Sequence, residues 1–242
     1  MGRSATAPAL VLLVAAAVAV PAARSDRAAG CAGVPVGSAR IAYAGWATHG
    51  AVAFRRPGGR AVVARFGAEN ANAYPTVLGI VGEADGRACG GRWYRVQLPV
   101  RPNGATGWVR AGTLVLERVR TRIVVDLSQR RLWLYRDARV VLRARVGVGS
   151  PATPTPAGRF YVNQRLVPDD PSGPYGPAAL GISAYSPVLT WWRQGGPIAI
   201  HGTDDPSSIG QARSNGCIRL ENATLRRVFA AAGAGTPVVV RP

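Results

Sequence analysis

The sequence predicts a mainly β protein that has two domains and one short helix near its C-terminus. Between residues 41 and 117 the apolar runs are short and are separated by Gly, Pro and Asn, which is typical of a small β-barrel. From residue 120 onward, Val- and Leu-rich runs predict the strands of a second domain, residues 120–242. Only one segment has helical periodicity. Its apolar residues on one face are Leu225, Val228, Phe229 and Ala232.

The first domain, residues 41–117, has predicted strands at residues 51–54, 76–81 and 93–98. A turn at residues 101–104 leads into a further strand. The runs Trp93-Tyr94-Arg95-Val96 and Gly107-Trp108-Val109 resemble bacterial Src-homology-3-like (SH3-like) domains. That resemblance implies binding of cell-wall material. The alternative is a spacer barrel in which both tryptophans belong to the core.

The second domain has predicted strands at residues 123–127, 132–135, 140–148, 159–162 and 236–241. The helix is predicted to begin after Asn222 as N-cap and to end at Gly233.

The stretch from Gln164 to Gly196 is rich in Pro and Gly and is predicted to be one long connection. Connections of that length are uncommon without a function, and active-site lids are a frequent one. The alternative is a segment that only covers the sheet.

The N-terminus carries an apolar run, residues 9–23, between Arg3 and Arg24. Since this run is shorter than a spanning helix and ends in small residues, residues 1–22 are predicted to be a secretory signal. An uncleaved anchor is the alternative. Residues 23–40 are predicted to be a linker. No later segment is apolar enough to cross a bilayer, so we expect an exported protein in the cell wall or a periplasm-like space.

The formal net charge is +18, and all 30 basic residues are Arg. Codon bias explains this composition, because Ala, Gly and Pro are abundant too. Adhesion to anionic wall polymers or membrane surfaces is the functional alternative. No motif or clustered basic run indicates nucleic-acid binding.

The chain has three cysteines, and export permits a disulfide bond. Cys31 and Cys89 both precede the second domain, so pairing them leaves Cys217 as a free thiol. Closing that loop stabilises the fold by about 4 kcal/mol in the chain-entropy model. Lipidation of Cys31 is the alternative, although charged residues between the apolar run and Cys31 disfavour it.

His201-Gly202-Thr203 and Ser214-Asn215-Gly216-Cys217 form the predicted active site. A thiol nucleophile needs a base, and His201 is one of only two histidines. Strand alternation places His201 on the face opposite its two Ile neighbours, and the Gly202 carbonyl is a candidate to orient the imidazole. Because Gly216 has no side chain, backbone N–H groups near Cys217 can approach a developing oxyanion.

Several neighbouring side chains are candidate substrate-binding groups. Arg219 can pair with a carboxylate, although it can equally pin an acidic neighbour. Asp204 and Asp205 are predicted to be loop residues. A structural role for the Cys217–His201 pair is the alternative to catalysis, whereas one His and one Cys fall short of a four-ligand zinc site, so no metal or cofactor is expected. The substrate-binding candidates are Thr203, Tyr185, Ser214, Asn215 and Arg219.

The spaced signature from His201 to Arg219, with Asn222 and Leu225, resembles the L,D-transpeptidase catalytic domain (YkuD type). The segments at residues 154–160 and 123–126 resemble that family too, so the resemblance covers residues 120–242. It implies a β-sandwich-like domain in which the cysteine attacks diaminopimelate of a peptidoglycan tetrapeptide and expels D-Ala. An acceptor amine then gives a 3→3 cross-link, and carbapenems are expected to acylate the same sulfur.

One position departs from the family pattern, because Asn215 stands where His often precedes Gly-Cys. Asn cannot exchange a proton at neutral pH, so the base role falls on His201. Two alternatives remain open at this point. One is an L,D-carboxypeptidase, in which water resolves the thioester. The other is a non-catalytic peptidoglycan-binding protein.

Overall fold

The computed structural model describes residues 1–2, 31 and 33–242 of the chain. The described part is mainly β with one short α-helix, which confirms the prediction of a mainly β protein with one short helix. The predicted signal, residues 1–22, lies outside the described residues except for Met1 and Gly2. Within the described ranges, no helix has the length and apolar character needed to cross a membrane.

The N-terminal region forms one antiparallel sheet of eight strands. These are β1 (Val34–Pro35), β2 (Ala42–Trp46), β3 (Ala51–Phe54), β4 (Val62–Phe66), β5 (Val77–Ala84), β6 (Trp93–Gln97), β7 (Thr106–Arg110) and β8 (Val115–Val119). The order is β4-β3-β7-β6-β5-β2-β8, and β1 pairs with β5. Strand β1 lies within residues 23–40, so the sheet includes part of the segment predicted as a linker. Trp93 is buried in the core, whereas Trp108 is half-buried.

Cys31 and Cys89 are joined by a disulfide bond in the structure. It ties the chain before β1 to the turn between β5 and β6, where Cys89 is buried. Cys217 is the free cysteine of the described residues.

Removing this disulfide by the double substitution Cys31→Ala and Cys89→Ala is expected to destabilise the N-terminal sheet. The sequence separation is 58, for which the chain-entropy model gives about 4 kcal/mol. Thermal unfolding should show a lower Tm for the double variant. Alkylation of unfolded, unreduced wild type should label Cys217 alone, and labelling of all three cysteines would contradict the bridge.

The C-terminal region forms a second sheet of eight strands. These are β9 (Thr121–Asp126), β10 (Arg131–Arg136), β11 (Arg139–Arg145), β13 (Gly158–Leu166), β14 (Ala179–Tyr185), β15 (Pro197–His201), β17 (Ile218–Arg219) and β18 (Pro237–Arg241). The order is β11-β10-β9-β18-β13-β14-β15-β17. A small parallel pair consists of β12 (Val148–Gly149) and β16 (Ala212–Ser214).

The inner face of this sheet packs against the helix α1 (Asn222–Ala231). Leu225 and Val228 of α1 are fully buried in the same cluster as Ile200 and Ile218. Burying such aliphatic side chains contributes about 1.5–3 kcal/mol each. The strands that carry the predicted site are therefore anchored by their inner faces.

Two sequence predictions on this domain are wrong in detail. The stretch 164–196 is not one connection, because it contains the end of β13 and all of β14. Strand β14 is nearly all buried and contains Ala, Gly and Ser, so it gives no alternation signal. The helix begins at Asn222 rather than after it, because Glu221 occupies the N-cap position without a side-chain cap.

The two sheets are in direct contact through Tyr161 of β13. Its hydroxyl donates to the Val77 carbonyl at 3.0 Å, and its ring packs on Gly79. A Cβ on Gly79 would lie 2.8 Å from that ring, so only glycine permits the approach. Gln97 of β6 also donates to the Arg159 carbonyl at 3.1 Å. The N-terminal sheet thus lies against the outer face of the C-terminal sheet.

Candidate active site

The predicted pair is positioned by two adjacent parallel strands: His201 ends β15, and Cys217 directly precedes β17. Ile200 pairs with Ile218, and His201 pairs with Arg219. Both isoleucines are fully buried, so the neighbouring positions point to the outer face. Continuing the register places Cys217 beside Ala199, one diagonal step from His201. Diagonal neighbours across strands are about 7–8 Å apart between Cα atoms, which a histidine side chain can span.

The imidazole of His201 is buried and held in one orientation. Its Nδ1 lies 2.6 Å from the Gly202 carbonyl oxygen. Because that oxygen can only accept, Nδ1 carries the proton and Nε2 has a free lone pair. Tyr175 packs edge-on against the ring, with 5.1 Å between centroids. The Gly202 carbonyl therefore takes the orienting role that an acidic side chain has in a triad.

Burial lowers the pKa of His201 to about 4. The hydrogen bond to Gly202 opposes this shift, and the positive charge of Arg219 adds to it. The imidazole is thus neutral at physiological pH. Neutral imidazole is the form that accepts a proton.

Cys217 directly precedes β17 and is partly exposed. Burial raises the pKa of its thiol, while the backbone of Ala199 and the charge of Arg219 lower that pKa in part. Pairing with an imidazole often raises the thiolate fraction of a cysteine. In the structure both groups rest in their neutral forms, because burial penalises either charge.

The loop before Cys217 is fixed by hydrogen bonds at both ends. Thr155 donates its hydroxyl to the Gly216 carbonyl at 2.8 Å. Ser214 donates its hydroxyl to the Cys217 carbonyl at 2.6 Å. Gly216 has φ 110°, and a Cβ there would lie 2.9 Å from Ile198. Glycine is required at this position for both reasons.

The structure refines where oxyanion donors lie. The N–H of Gly216 donates to the Ser214 hydroxyl at 3.2 Å, so it is already engaged within the loop. The N–H of Cys217 is left as the candidate donor. Gly216 therefore shapes the loop, whereas the Cys217 N–H is the candidate oxyanion donor.

Three predicted substrate-binding residues make hydrogen bonds within the protein. Ser214 is 2% exposed and both of its hydroxyl hydrogen bonds stay within the loop. Thr203 is buried, and its hydroxyl accepts from the Asp205 N–H at 3.0 Å. Tyr185 donates its hydroxyl to Pro99 of the N-terminal region at 2.8 Å. The hydroxyl protons of these three side chains are therefore used in hydrogen bonds within the protein.

Two other predicted substrate-binding residues stay accessible. Asn215 is exposed at the tip of the loop. Arg219 is half-buried beside His201, and its Nε is buried without a hydrogen-bond partner among the described residues. An unpaired guanidinium nitrogen next to the thiol is suited to an anionic substrate group.

The neighbouring acids do not orient His201. Asp205 accepts from Ser207 and pairs with Arg213 at 3.4 Å, and these contacts help to lower its pKa. Asp204 is exposed and has only the smallest influence among the causes that shift the His201 pKa. Among the described residues, no three His, Cys, Asp or Glu side chains converge as a metal site.

Sequence reasoning missed two residues that hold the site. Asn222 accepts from the Thr203 N–H at 2.8 Å and fixes the chain after His201. A Cβ on Gly202 would lie 2.2 Å from that amide oxygen, so Asn222 packs directly on the His-Gly segment. Tyr175 accepts from the Gly202 N–H at 2.9 Å through its carbonyl. Position in the signature was the only sequence signal for Asn222, and Tyr175 had none beyond its aromatic character.

Replacing Asn222 by Ala is expected to slow acylation of Cys217 about tenfold, because a buried N–H left unpaired costs about 1–3 kcal/mol. The loss should fall on kcat rather than on KM, since Asn222 acts through His201. Acylation rates and Tm measure both effects. Asn222→Asp keeps the acceptor oxygen and should retain most of the activity. Equal losses in the two variants would contradict this positioning role.

The fold and the site together define a β domain with a thiol and a neutral imidazole on adjacent strands. Residues 120–240 match the family model of the L,D-transpeptidase catalytic domain, YkuD. The chain is 34% identical over 152 residues to the YkuD protein of Bacillus licheniformis, covering 60% of this chain and 84% of that protein. The chain therefore belongs to the L,D-transpeptidase family, a family of peptidoglycan-crosslinking enzymes, which confirms the resemblance seen in the sequence.

Two further comparisons cover shorter stretches. The Bacillus subtilis YkuD protein is 33% identical over 118 residues, covering 49% of this chain and 64% of that protein. The crystal structure of an Enterococcus faecium L,D-transpeptidase is 30% identical with a TM-score of 0.40, covering 50% of this chain and 49% of that one. The chain thus spans about half the length of that structure.

Proposed function

We propose that this protein is a peptidoglycan L,D-transpeptidase in which Cys217 is the nucleophile and His201 the general base and acid. The supporting observation is the hydrogen bond that holds the His201 imidazole in one orientation. The Nε2 lone pair of His201 is free, because Nδ1 is committed to the Gly202 carbonyl. A base in this state can take the thiol proton as the sulfur attacks a carbonyl carbon.

In the first half-reaction Cys217 attacks the L-centre carbonyl of diaminopimelate in a stem tetrapeptide. The Sγ–C bond forms as the thiol proton moves to Nε2 of His201. The C–N bond to D-Ala then breaks, and Nε2 returns the proton to the leaving amine. The products are a thioester on Cys217 and free D-Ala.

Charge that develops on the carbonyl oxygen needs a donor nearby. The N–H of Cys217 is our candidate, since the N–H of Gly216 is engaged by Ser214. One such donor contributes about 3 kcal/mol to lowering the barrier. Arg219 supplies positive charge on the same face and holds a carboxylate of the substrate.

In the second half-reaction an amine of another stem peptide attacks the thioester carbonyl. Nε2 of His201 takes a proton from that amine, the C–S bond breaks, and Nε2 passes the proton to the leaving sulfur, which restores the thiol. The product is a 3→3 cross-link. Carbapenems are acylating agents that we expect to trap the same sulfur.

We also propose that the protein acts outside the cytoplasm, in the cell wall or a periplasm-like space. The net charge of +18 favours retention on anionic wall polymers, and the Cys31–Cys89 disulfide suits an oxidising compartment. The N-terminal sheet, as an SH3-like module, would contribute to wall binding.

Incubation with tetrapeptide muropeptides followed by mass spectrometry tests the proposal. Transfer gives a cross-linked dimer with loss of one D-Ala. A tripeptide product without a dimer would identify an L,D-carboxypeptidase, and unchanged substrate would identify a non-catalytic binding protein. Either of these two outcomes overturns the transferase proposal.

A further inference from the structure

Gln164 of β13 is aimed at the outer face by a β-bulge. Val162 pairs with Ile182, but Gln164 pairs with Gly181, so Asn163 is an extra residue in β13. Without the bulge, Gln164 would share the inner face with Val162, which is in the core. A bulge of this kind reverses the facing of the residues that follow it. Gln164 therefore lies on the same face as the active site.

Gln164 lies in line with Cys217 across three neighbouring strands. Gly181 pairs with both Gln164 and Ala199, and Ala199 is beside Cys217. The side chain of Gln164 folds over Gly181, because a Cβ there would lie 2.5 Å from its Cγ and 2.7 Å from its Nε2. The amide thus extends toward Cys217. With strands about 4.8 Å apart, Gly181 lies about 10 Å from Cys217.

Hydrogen bonds from the N-terminal region fix which way this amide points. The side-chain oxygen of Asn70 accepts the N–H groups of Asn72 and Tyr74, so its NH₂ must donate. It donates to Oε1 of Gln164 at 3.0 Å, and the NH₂ of Asn72 donates to the same oxygen at 2.9 Å. The oxygen of Asn72 in turn accepts from Gln194 at 2.8 Å.

The other end of the Gln164 amide is left for a ligand. The residue is 7% exposed, and its Nε2 makes no hydrogen bond to any part of the chain that the structure describes. Since both donors from Asn70 and Asn72 engage Oε1, this NH₂ is the polar group of Gln164 that a ligand oxygen can still engage. Gly181 and Ala199 carry nothing larger than a methyl group, so no bulky side chain at these two positions separates this amide from the sulfur.

We infer that Gln164 is a specificity-determining residue, whose Nε2 donates a hydrogen bond to a carbonyl or carboxylate oxygen of the donor stem peptide. This inference rests on the proposed function. An extended peptide advances about 3.3 Å per residue, so the acceptor oxygen lies about three residue lengths from the scissile carbonyl. Asn70 and Asn72 hold the amide in place. The N-terminal domain therefore forms part of the substrate site.

Gln164→Glu isolates this role. The Glu carboxylate still accepts from Asn70 and Asn72, so the interdomain contacts persist. In place of the donor it presents an oxygen that repels the substrate acceptor. Gln97→Glu is the matched control, because Gln97 also joins the two domains but donates to the Arg159 carbonyl.

Binding is measured by calorimetry in the Cys217→Ala protein, so that no chemistry interferes. The ligands are the stem tetrapeptide and a dipeptide of diaminopimelate and D-Ala that is too short to reach Gln164. We expect Gln164→Glu to raise the tetrapeptide Kd about tenfold and to leave the dipeptide Kd unchanged. Gln97→Glu should change neither.

A tetrapeptide Kd within twofold of the parent protein would overturn the inference, as would an equal loss for both peptides. Failure to bind the tetrapeptide at all would overturn it too. These outcomes are independent of turnover. A protein that binds the tetrapeptide through Gln164 but forms no product would retain the Gln164 site and lose the transferase proposal.

Discussion

Cys217→Ala is expected to abolish acyl transfer, with kcat lowered by at least about 10³-fold. The sulfur supplies the only bond that links the donor to the enzyme, so its removal eliminates the thioester rather than weakening one contact. Intact-protein mass spectrometry after incubation with a carbapenem should show an adduct on wild type and none on the variant. Turnover of tetrapeptide muropeptides should be lost in parallel.

The control for this experiment removes the other two cysteines. A protein with Cys31→Ala and Cys89→Ala keeps the free thiol of Cys217 and should still form the adduct at the wild-type stoichiometry. An adduct that persists in Cys217→Ala, or that disappears in the double variant while the fold is retained, would contradict the assignment of the nucleophile.

The central pair could be predicted from the sequence because its placement depends on local alternation. Ile198 and Ile200 alternate with Ala199 and His201, so a strand at this position must present the imidazole on the face opposite the core. In the same way, Ile218 points to the core, so the adjacent Cys217 is predicted to face the opposite side. The Gly202 carbonyl was also within reach of sequence reasoning, because it belongs to the residue next to the imidazole.

Other parts of the site depend on contacts between distant segments. Asn222 joins the chain after His201 from the start of α1, and nothing local predicts which backbone group its amide meets. Gln164 faces the site only because of a bulge in β13. Simple alternation along the strand would place Gln164 on the opposite, inner face. Strand β14 could not be predicted from alternation either, because its small residues are buried on both faces of the sheet.

Protonation states were the least predictable feature. The pKa values of a free thiol and a free imidazole leave a small fraction of each group charged near neutral pH. Burial raises the pKa of Cys217 and lowers that of His201, so the structure favours the neutral pair. Burial of a given side chain follows from the assembled fold, not from its neighbours in sequence. This finding determines how the rate should depend on pH.

The rate of Cys217 acylation by a carbapenem is expected to rise with pH around pH 4 and then to stay level from about pH 5 to pH 8. His201 has a pKa of about 4, so above that pH the imidazole is available as base. Because the thiol pKa is raised, deprotonation by solvent stays minor over this range. Solvent deprotonation alone would increase the rate tenfold for each pH unit.

His201→Gln should lower this rate by about 10²–10⁴-fold at neutral pH and restore the tenfold rise per pH unit, because only hydroxide can then remove the thiol proton.

The folded pKa of His201 lies below its unfolded value of 6.5, so proton uptake favours the unfolded chain. The free energy of unfolding therefore falls as the pH drops from about 6.5 toward 4, and circular dichroism must show a folded protein at each pH. A wild-type profile that climbs between pH 5 and pH 8, or a midpoint near 6.5, would contradict a neutral, buried His201 as the base.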